Sequence, residues 1–213
     1  MNWSLAAQRA MRRHVYRAVE RLDPVRYSQE PAYVAALLAR LDGIVYSSHD
    51  SRIEIRSTIV ADRGPNSAES KWGADFAIVG VFHGPEEKIE KGVLAQAKRG
   101  SLRELNSNAE AGFFDQCARM ARATDAVLGL EVPAHAGEQV LVREIYVQPV
   151  TRAVSLDDRP WHPPMTIGIA RNLASYLSDR FLLCQHGDRG ADVVRRFGDS
   201  RLSQITMLCE SAV

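Results

Sequence analysis

Three side chains in the middle of this 213-residue sequence carry types and spacing that suit chemistry. Asp75 stands at the head of an apolar run, Phe76 to Phe82. A carboxylate at the start of a buried strand needs a partner, because burying it alone is costly. Twenty-one residues later come Gln96 and Lys98, interleaved with Ala95 and Ala97. In a strand, side chains two apart share a face, so Gln96 and Lys98 project together and the alanines project oppositely. If that strand pairs with the one headed by Asp75, the three side chains meet at one end of a sheet. A carboxylate and an amide oxygen suit a hard cation such as Mg²⁺. An ammonium beside them can orient a water and offset transition-state charge. The chemistry that follows is metal-assisted hydrolysis of a phosphodiester.

The elements that must position these groups are legible in outline. Residues 4–22 put Met11, Val15, Ala18, Val19 and Leu22 on one helical face, and Pro24 ends the pattern. A second helix is expected over 30–42, with Pro31 in its first turn and Gly43 at its close. Strands are expected over 52–60, 76–82, 92–98, 126–132 and 140–147, and a third helix over 109–123. Residues 62–73 read as a loop and 84–88 as a turn. Pro160, Pro163 and Pro164 introduce an expected long helix over 165–183. The tail from residue 190 has mixed signals and yields no reading. The order implies an α/β architecture with a central mixed sheet flanked by helices.

Composition bounds the function. Apolar residues make up 46% and charged residues 25%, values of a globular chain that needs no disulfide or structural metal to fold. The net charge of +1 argues against a protein that coats nucleic acid over its whole surface. The basic residues divide into 23 arginines and only four lysines (Lys71, Lys88, Lys91, Lys98), so the place of each lysine is informative. Three widely spaced cysteines suggest neither a disulfide framework nor a metal knuckle, and a reduced, cytoplasmic setting is expected. Apolar runs fall short of a membrane span, and the arginine-bearing N-terminus is read as a helix rather than a transit peptide. The six histidines lack zinc-site spacing. GxSxG, Walker A and GxGxxG motifs are also absent, which disfavours serine hydrolases, NTPases and dinucleotide enzymes.

The residues Gly73-Ala74-Asp75-Phe76 and Gln96-Ala97-Lys98 resemble the PD-(D/E)XK nuclease superfamily, in the variant where glutamine replaces the second acid, as in Mrr-like enzymes. The order helix, strand, strand with Asp, strand with QxK, helix, strand is also similar, over about residues 28–132. The resemblance implies a restriction-endonuclease-like core over about 29–150. A helical segment would precede it at 1–28, and a C-terminal helical extension would follow at about 160–213, within a single domain over 29–213. It implies metal ligation by Asp75, Gln96 and the Ala97 carbonyl, with Lys98 positioning the attacking water. Glu30 matches a glutamate that many members add from a helix, and Glu69 is a second acidic candidate. Cys184-Gln-His-Gly187-Asp188 resembles a C-terminal motif of some members.

The expected activity is therefore a Mg²⁺- or Mn²⁺-dependent endonuclease acting on DNA, in a homo-oligomer, with restriction or anti-phage defence as a fitting role. Lys71, Arg99, Arg103, Arg119 and Arg122 would form a local phosphate track. Gln96 in place of a carboxylate removes one negative charge and weakens metal binding. The alternatives are a catalytically silent fold used for binding or assembly, and a hydrolase of a small phosphorylated ligand. The six N-terminal arginines (9, 12, 13, 17, 21 and 26) are read as a solvated helix face.

Overall fold

The computed structural model describes residues 3–60, 67–148 and 164–211. Pro160 and Pro163, and part of the expected 62–73 loop, lie outside these residues. Among the described residues, nine strands form one mixed sheet, with two hydrophobic cores on its opposite faces.

One face is covered by α1 (Leu5–Glu20) and α2 (Glu30–Leu41). Ser4 starts α1 by accepting a hydrogen bond from the Ala7 N–H, which satisfies one of the helix's orphan donors. The α1 stripe Ala7, Met11, Val15 and Ala18, with Leu22 just past the helix end, is buried in the same core as Tyr33, Leu37, Leu38 and Leu41 of α2. The N-terminal helix is thus packed on the sheet's core. The expected helices over 4–22 and 30–42 agree with these elements to within two residues.

The sheet begins with a hairpin of β1 (Gly43–Ser47) and β2 (Ser51–Thr58). The β1 strand was not expected from the sequence, although its Ile-Val-Tyr run is strand-forming. A short helix α3 (Ala68–Trp72) falls inside the expected loop. Ser67 caps its N-terminus, and Gly73 closes it in the left-handed region at φ 74°. Then β3 (Phe76–His83) and β4 (Lys88–Arg99) form a hairpin in which Phe76 pairs with Ala95 and His83 with Lys88. The β4 strand starts four residues earlier than expected because Lys88–Lys91 pair across the hairpin. On the second face α4 (Ser107–Ala121) crosses over to β5 (Val127–Val132), which runs parallel to β4 and antiparallel to β6 (Leu141–Val147). Phe113, Cys117 and Met120 are buried on α4's inner face.

The C-terminal third departs from the sequence reading. In place of a helix over 165–183 stand two edge strands, β7 (Met165–Ile167) and β8 (Arg171–Asn172), both on β6. Helical structure starts at α5 (Leu173–Ser175) and continues as a π-helical turn over Tyr176–Phe181. Pairing of Ile145 with Ile167, and the bond from the Gly168 N–H to the Glu144 carbonyl (2.9 Å), draw the preceding residues onto the sheet. The last elements are α6 (Ala191–Gly198) and β9 (Ser203–Ser211). The β9 strand lies between β2 and β3, antiparallel to the first and parallel to the second. The final strand is therefore central, and the strand bearing the site cannot complete its pairing until the chain's end has folded in.

Candidate functional site

The β3–β4 hairpin sets the site. The Gly84 N–H bonds to the Glu87 carbonyl at 2.9 Å, and this turn fixes a register in which Phe76 faces Ala95. The ladder runs one residue further, with the Asp75 N–H donating to the Ala95 carbonyl at 2.9 Å. Continuing that register sets Asp75 across from Gln96. Asp75 Oδ2 accepts from Gln96 Nε2 at 2.8 Å and from the Ala97 N–H at 2.7 Å. Ala95 and Ala97 face the α1–α2 core, as the alternation predicts. Gly73 seats this corner against α4: a Cβ there would lie 2.4 Å from the Gln116 carbonyl oxygen.

The electrostatics of Asp75 follow from its surroundings. Burial pushes its pKa up to about 7, helped by the nearby Glu69 and Glu30. The Ala97 N–H bond and the Lys98 ammonium pull the other way. Lys98 Nζ lies 3.9 Å from Glu30 Oε2, and the Arg99 N–H donates to Glu30 Oε1 at 2.8 Å. Glu30, the first residue of α2, thus ties that helix to the end of β4. The structure gathers Asp75, Gln96, Ala97, Lys98 and Glu30 at one sheet end, with Glu69 exposed on α3 nearby.

The basic residues separate. The Arg99 guanidinium is spent on carbonyls of Pro24 (3.2 Å), Tyr27 (2.8 Å) and Pro133 (3.1 Å), so it braces the α1–α2 connection. Arg119 joins α4 to α3, donating to the Ser70 carbonyl at 2.9 Å and pairing with Asp115 at 3.0 Å. Lys71 is exposed, its ammonium 5.3 Å from the Trp72 ring centroid. Arg103 is exposed with one long bond, 3.5 Å, to the Ile167 carbonyl. Arg122 caps α4 through its backbone and leaves its side chain without an ion pair among the described residues. Lys71, Arg103 and Arg122 therefore remain available to a ligand, while Arg99 and Arg119 serve the scaffold.

The sequence reading missed a buried ion pair one strand away. Glu131, the cross-strand partner of Lys98 on β5, accepts from Arg143 Nε at 2.6 Å and from the Leu102 N–H at 2.8 Å. The signal was present: an acid inside the wholly buried strand Val-Leu-Gly-Leu-Glu-Val requires a partner.

Two observations bear on whether these residues suit a divalent cation. Gln96 Nε2 touches both Asp75 Oδ2 and, at 3.3 Å, the Ala97 carbonyl, while Gln96 Oε1 is buried with no partner. A half-turn of the amide exchanges the two atoms and turns three oxygens toward one point. Such an arrangement is repulsive unless a cation lies among them. The donor set of carboxylate, amide and carbonyl oxygens is that of a hard cation. Among the described residues no group of three or more His, Cys, Asp and Glu side chains gathers to hold a metal, so Glu30 and Glu69 do not join Asp75 in such a cluster.

What fold and site define together is an α/β protein with a mixed sheet and an acid–amide–lysine corner at one end. No protein-family model, curated protein or solved structure matches the chain. Among the described residues no helix is long and apolar enough to cross a membrane.

Proposed function

We propose that this protein is a Mg²⁺-dependent nuclease of the restriction-endonuclease-like type, hydrolysing phosphodiester bonds in DNA. The observation that carries the reading is the convergence of Asp75 Oδ2, the Gln96 amide and the Ala97 carbonyl, with Lys98 on the same strand face. The element order α2, β2, β3, β4, α4, β5 around that corner supports the same type.

Asp75, Gln96 Oε1 and the Ala97 carbonyl would hold the cation, which when bound would supply Lewis acidity at the scissile phosphate. Lys98 orients the attacking water and offsets charge that grows on the phosphoryl oxygens. Glu30 holds the Lys98 side chain at the sheet end and fixes the end of β4 through the Arg99 N–H. The raised pKa of Asp75 makes the proton a competitor of the cation near neutral pH, so metal binding strengthens as pH rises through about 7. Among the described residues the chain offers one such corner, so cutting both strands of a duplex calls for a second copy.

The test is cleavage of plasmid and oligonucleotide substrates with Mg²⁺ or Mn²⁺. The wild type cuts, and Lys98→Ala loses at least about 100-fold in rate, the scale of one removed transition-state charge partner. Equal rates for the two proteins would remove Lys98 from the mechanism. An absence of cutting with either metal would sink the nuclease reading.

A further inference from the structure

The exposed side of α1 is a cationic row. Arg9, Arg13, Arg17 and Arg21 are all exposed and recur every four residues, which places them on one inclined line of the helix with about 6 Å of rise per step. Among the described residues none of the four has an ion-pair partner. Glu20 is the only acid within the helix, and none stands in its first turn. Like charges at this spacing repel one another, and at the N-terminal end of the row the helix dipole adds to the potential, while Arg17 and Arg21 lie at its negative end. Arg12, one position aside, behaves differently. It is held bidentately by Asp179 at 2.7 and 2.8 Å, as a packing residue would be.

The row also borders a shape. Arg9, Arg12, Arg13, Tyr16 and Tyr46 line a groove of about 520 Å³ between α1 and β1. Tyr16 is 41% exposed there, although it sits on a helix whose apolar stripe is buried on the opposite side. Arginines flanking an open groove beside an exposed aromatic ring match the needs of single-stranded nucleic acid: cations for the phosphates and a ring face for a base. The line has a direction as well. At its C-terminal end the chain passes through Pro24 and Tyr27, whose carbonyls hold Arg99, and arrives at Glu30 beside Lys98.

From this geometry we infer that α1 is a nucleic-acid track. A single strand lies along Arg9, Arg13, Arg17 and Arg21, stacks a base on Tyr16, and is delivered toward the Asp75–Lys98 corner. The binding part stands on the α1 surface alone, and only the delivery part rests on the nuclease reading.

Binding and cleavage are therefore measured apart. Fluorescence anisotropy with a single-stranded DNA oligonucleotide in EDTA reads binding without turnover. The double variant Arg9→Gln, Arg13→Gln is expected to bind at least tenfold more weakly. The slope of log K against log salt should become shallower by about 1.4, the counterion release of two single-strand phosphate contacts. Tyr16→Ala should weaken binding about tenfold with the slope unchanged. All three positions are exposed, so melting temperatures should match the wild type and exclude unfolding as the cause. Unchanged affinity and slope in the double variant overturns the track. So does tighter binding of a duplex than of a single strand, or of poly-glutamate than of DNA through the same arginines. If the wild type binds through these arginines but never cuts with Mg²⁺, the track stands and the nuclease reading falls. If it cuts while the double variant binds like the wild type, the nuclease reading stands and the track falls.

Discussion

Asp75→Asn offers a test of the site that does not depend on knowing the substrate. The substitution keeps the geometry: an asparagine Oδ1 in the place of Asp75 Oδ2 still accepts from the Ala97 N–H and the Gln96 amide. What it removes is a buried negative charge. In the folded protein the carboxyl titrates at about 7 rather than at an ordinary aspartate value of 3.8, because burial and the two neighbouring glutamates disfavour the ionised form. Between those two values the folded state therefore holds more protons than the unfolded chain, and stability falls as pH rises. Each pH unit of that interval is worth about 1.4 kcal/mol. The wild type should thus lose about 3 kcal/mol between pH 5 and pH 8 that the variant does not lose. All other titrating groups are common to both proteins, so the difference isolates position 75.

The assay is denaturant unfolding of both proteins at pH 5, 6, 7 and 8, with and without Mg²⁺. In EDTA the variant should become progressively the more stable of the two as pH rises. Saturating Mg²⁺ should restore the wild type by mass action on the folded state and leave the variant unmoved. In the same preparations the variant should be inactive in cleavage, so that stability and function change in opposite directions at one residue. A stability difference that stays constant from pH 5 to pH 8 would refute the claim that Asp75 is held in a strained, ionisable state. A Mg²⁺ response of equal size in both proteins would refute its role as a ligand.

Two further outcomes follow from buried charges elsewhere. Lys91 is fully buried, donates to the carbonyls of Phe181 and His186, lies against the Phe82 and Phe181 rings, and has its pKa lowered to about 8 by burial. A lowered lysine means the unfolded chain holds more protons above pH 8, so the wild type should gain about 2 kcal/mol between pH 8 and 9.5. Lys91→Met should lack that gain when the two are compared by guanidinium unfolding. Arg143→Ala should cost about 3–5 kcal/mol in the same assay by leaving Glu131 buried and unpaired. The double variant Glu131→Leu, Arg143→Met should recover most of the loss, and no recovery would show that the pair's role is not simply charge compensation.

The corner of the site was legible in the sequence because it depends on local geometry alone. A four-residue turn and two strands of alternating or apolar residues determine the register, and the register sets Asp75 across from Gln96. Helices α1, α2 and α4 were legible for a similar reason, each carrying an apolar stripe at helical spacing. Where tertiary partners decide, local pattern failed. Met165–Ile167 and Arg171–Asn172 are strands only because the edge of β6 is there to pair with them. In β9, Ile205, Met207 and Cys209 do alternate as a strand should, yet nothing local says that the segment enters the sheet between β2 and β3. The role of Arg99 was equally hidden. Its position after the QxK strand suggests a phosphate ligand, and only the three carbonyls that converge on it reveal a brace.

The glutamine at position 96 can now be understood from the charges around it. Asp75 already bears the repulsion of Glu30 and Glu69, and it is already half-protonated near pH 7. A carboxylate at position 96 would stand within hydrogen-bond reach of Asp75 Oδ2, and two such groups would share one proton rather than both ionise. On the nuclease reading, such a site would be protonated at the pH where it would have to bind a cation. An amide avoids this: in the present arrangement it donates to Asp75 and holds it in place, and after a half-turn it offers an oxygen without adding charge. The substitution that lowers the intrinsic pull on a metal also lowers the competition from protons. On the nuclease reading, burial has raised the aspartate so far that the second effect would act on a carboxylate ligand of the cation.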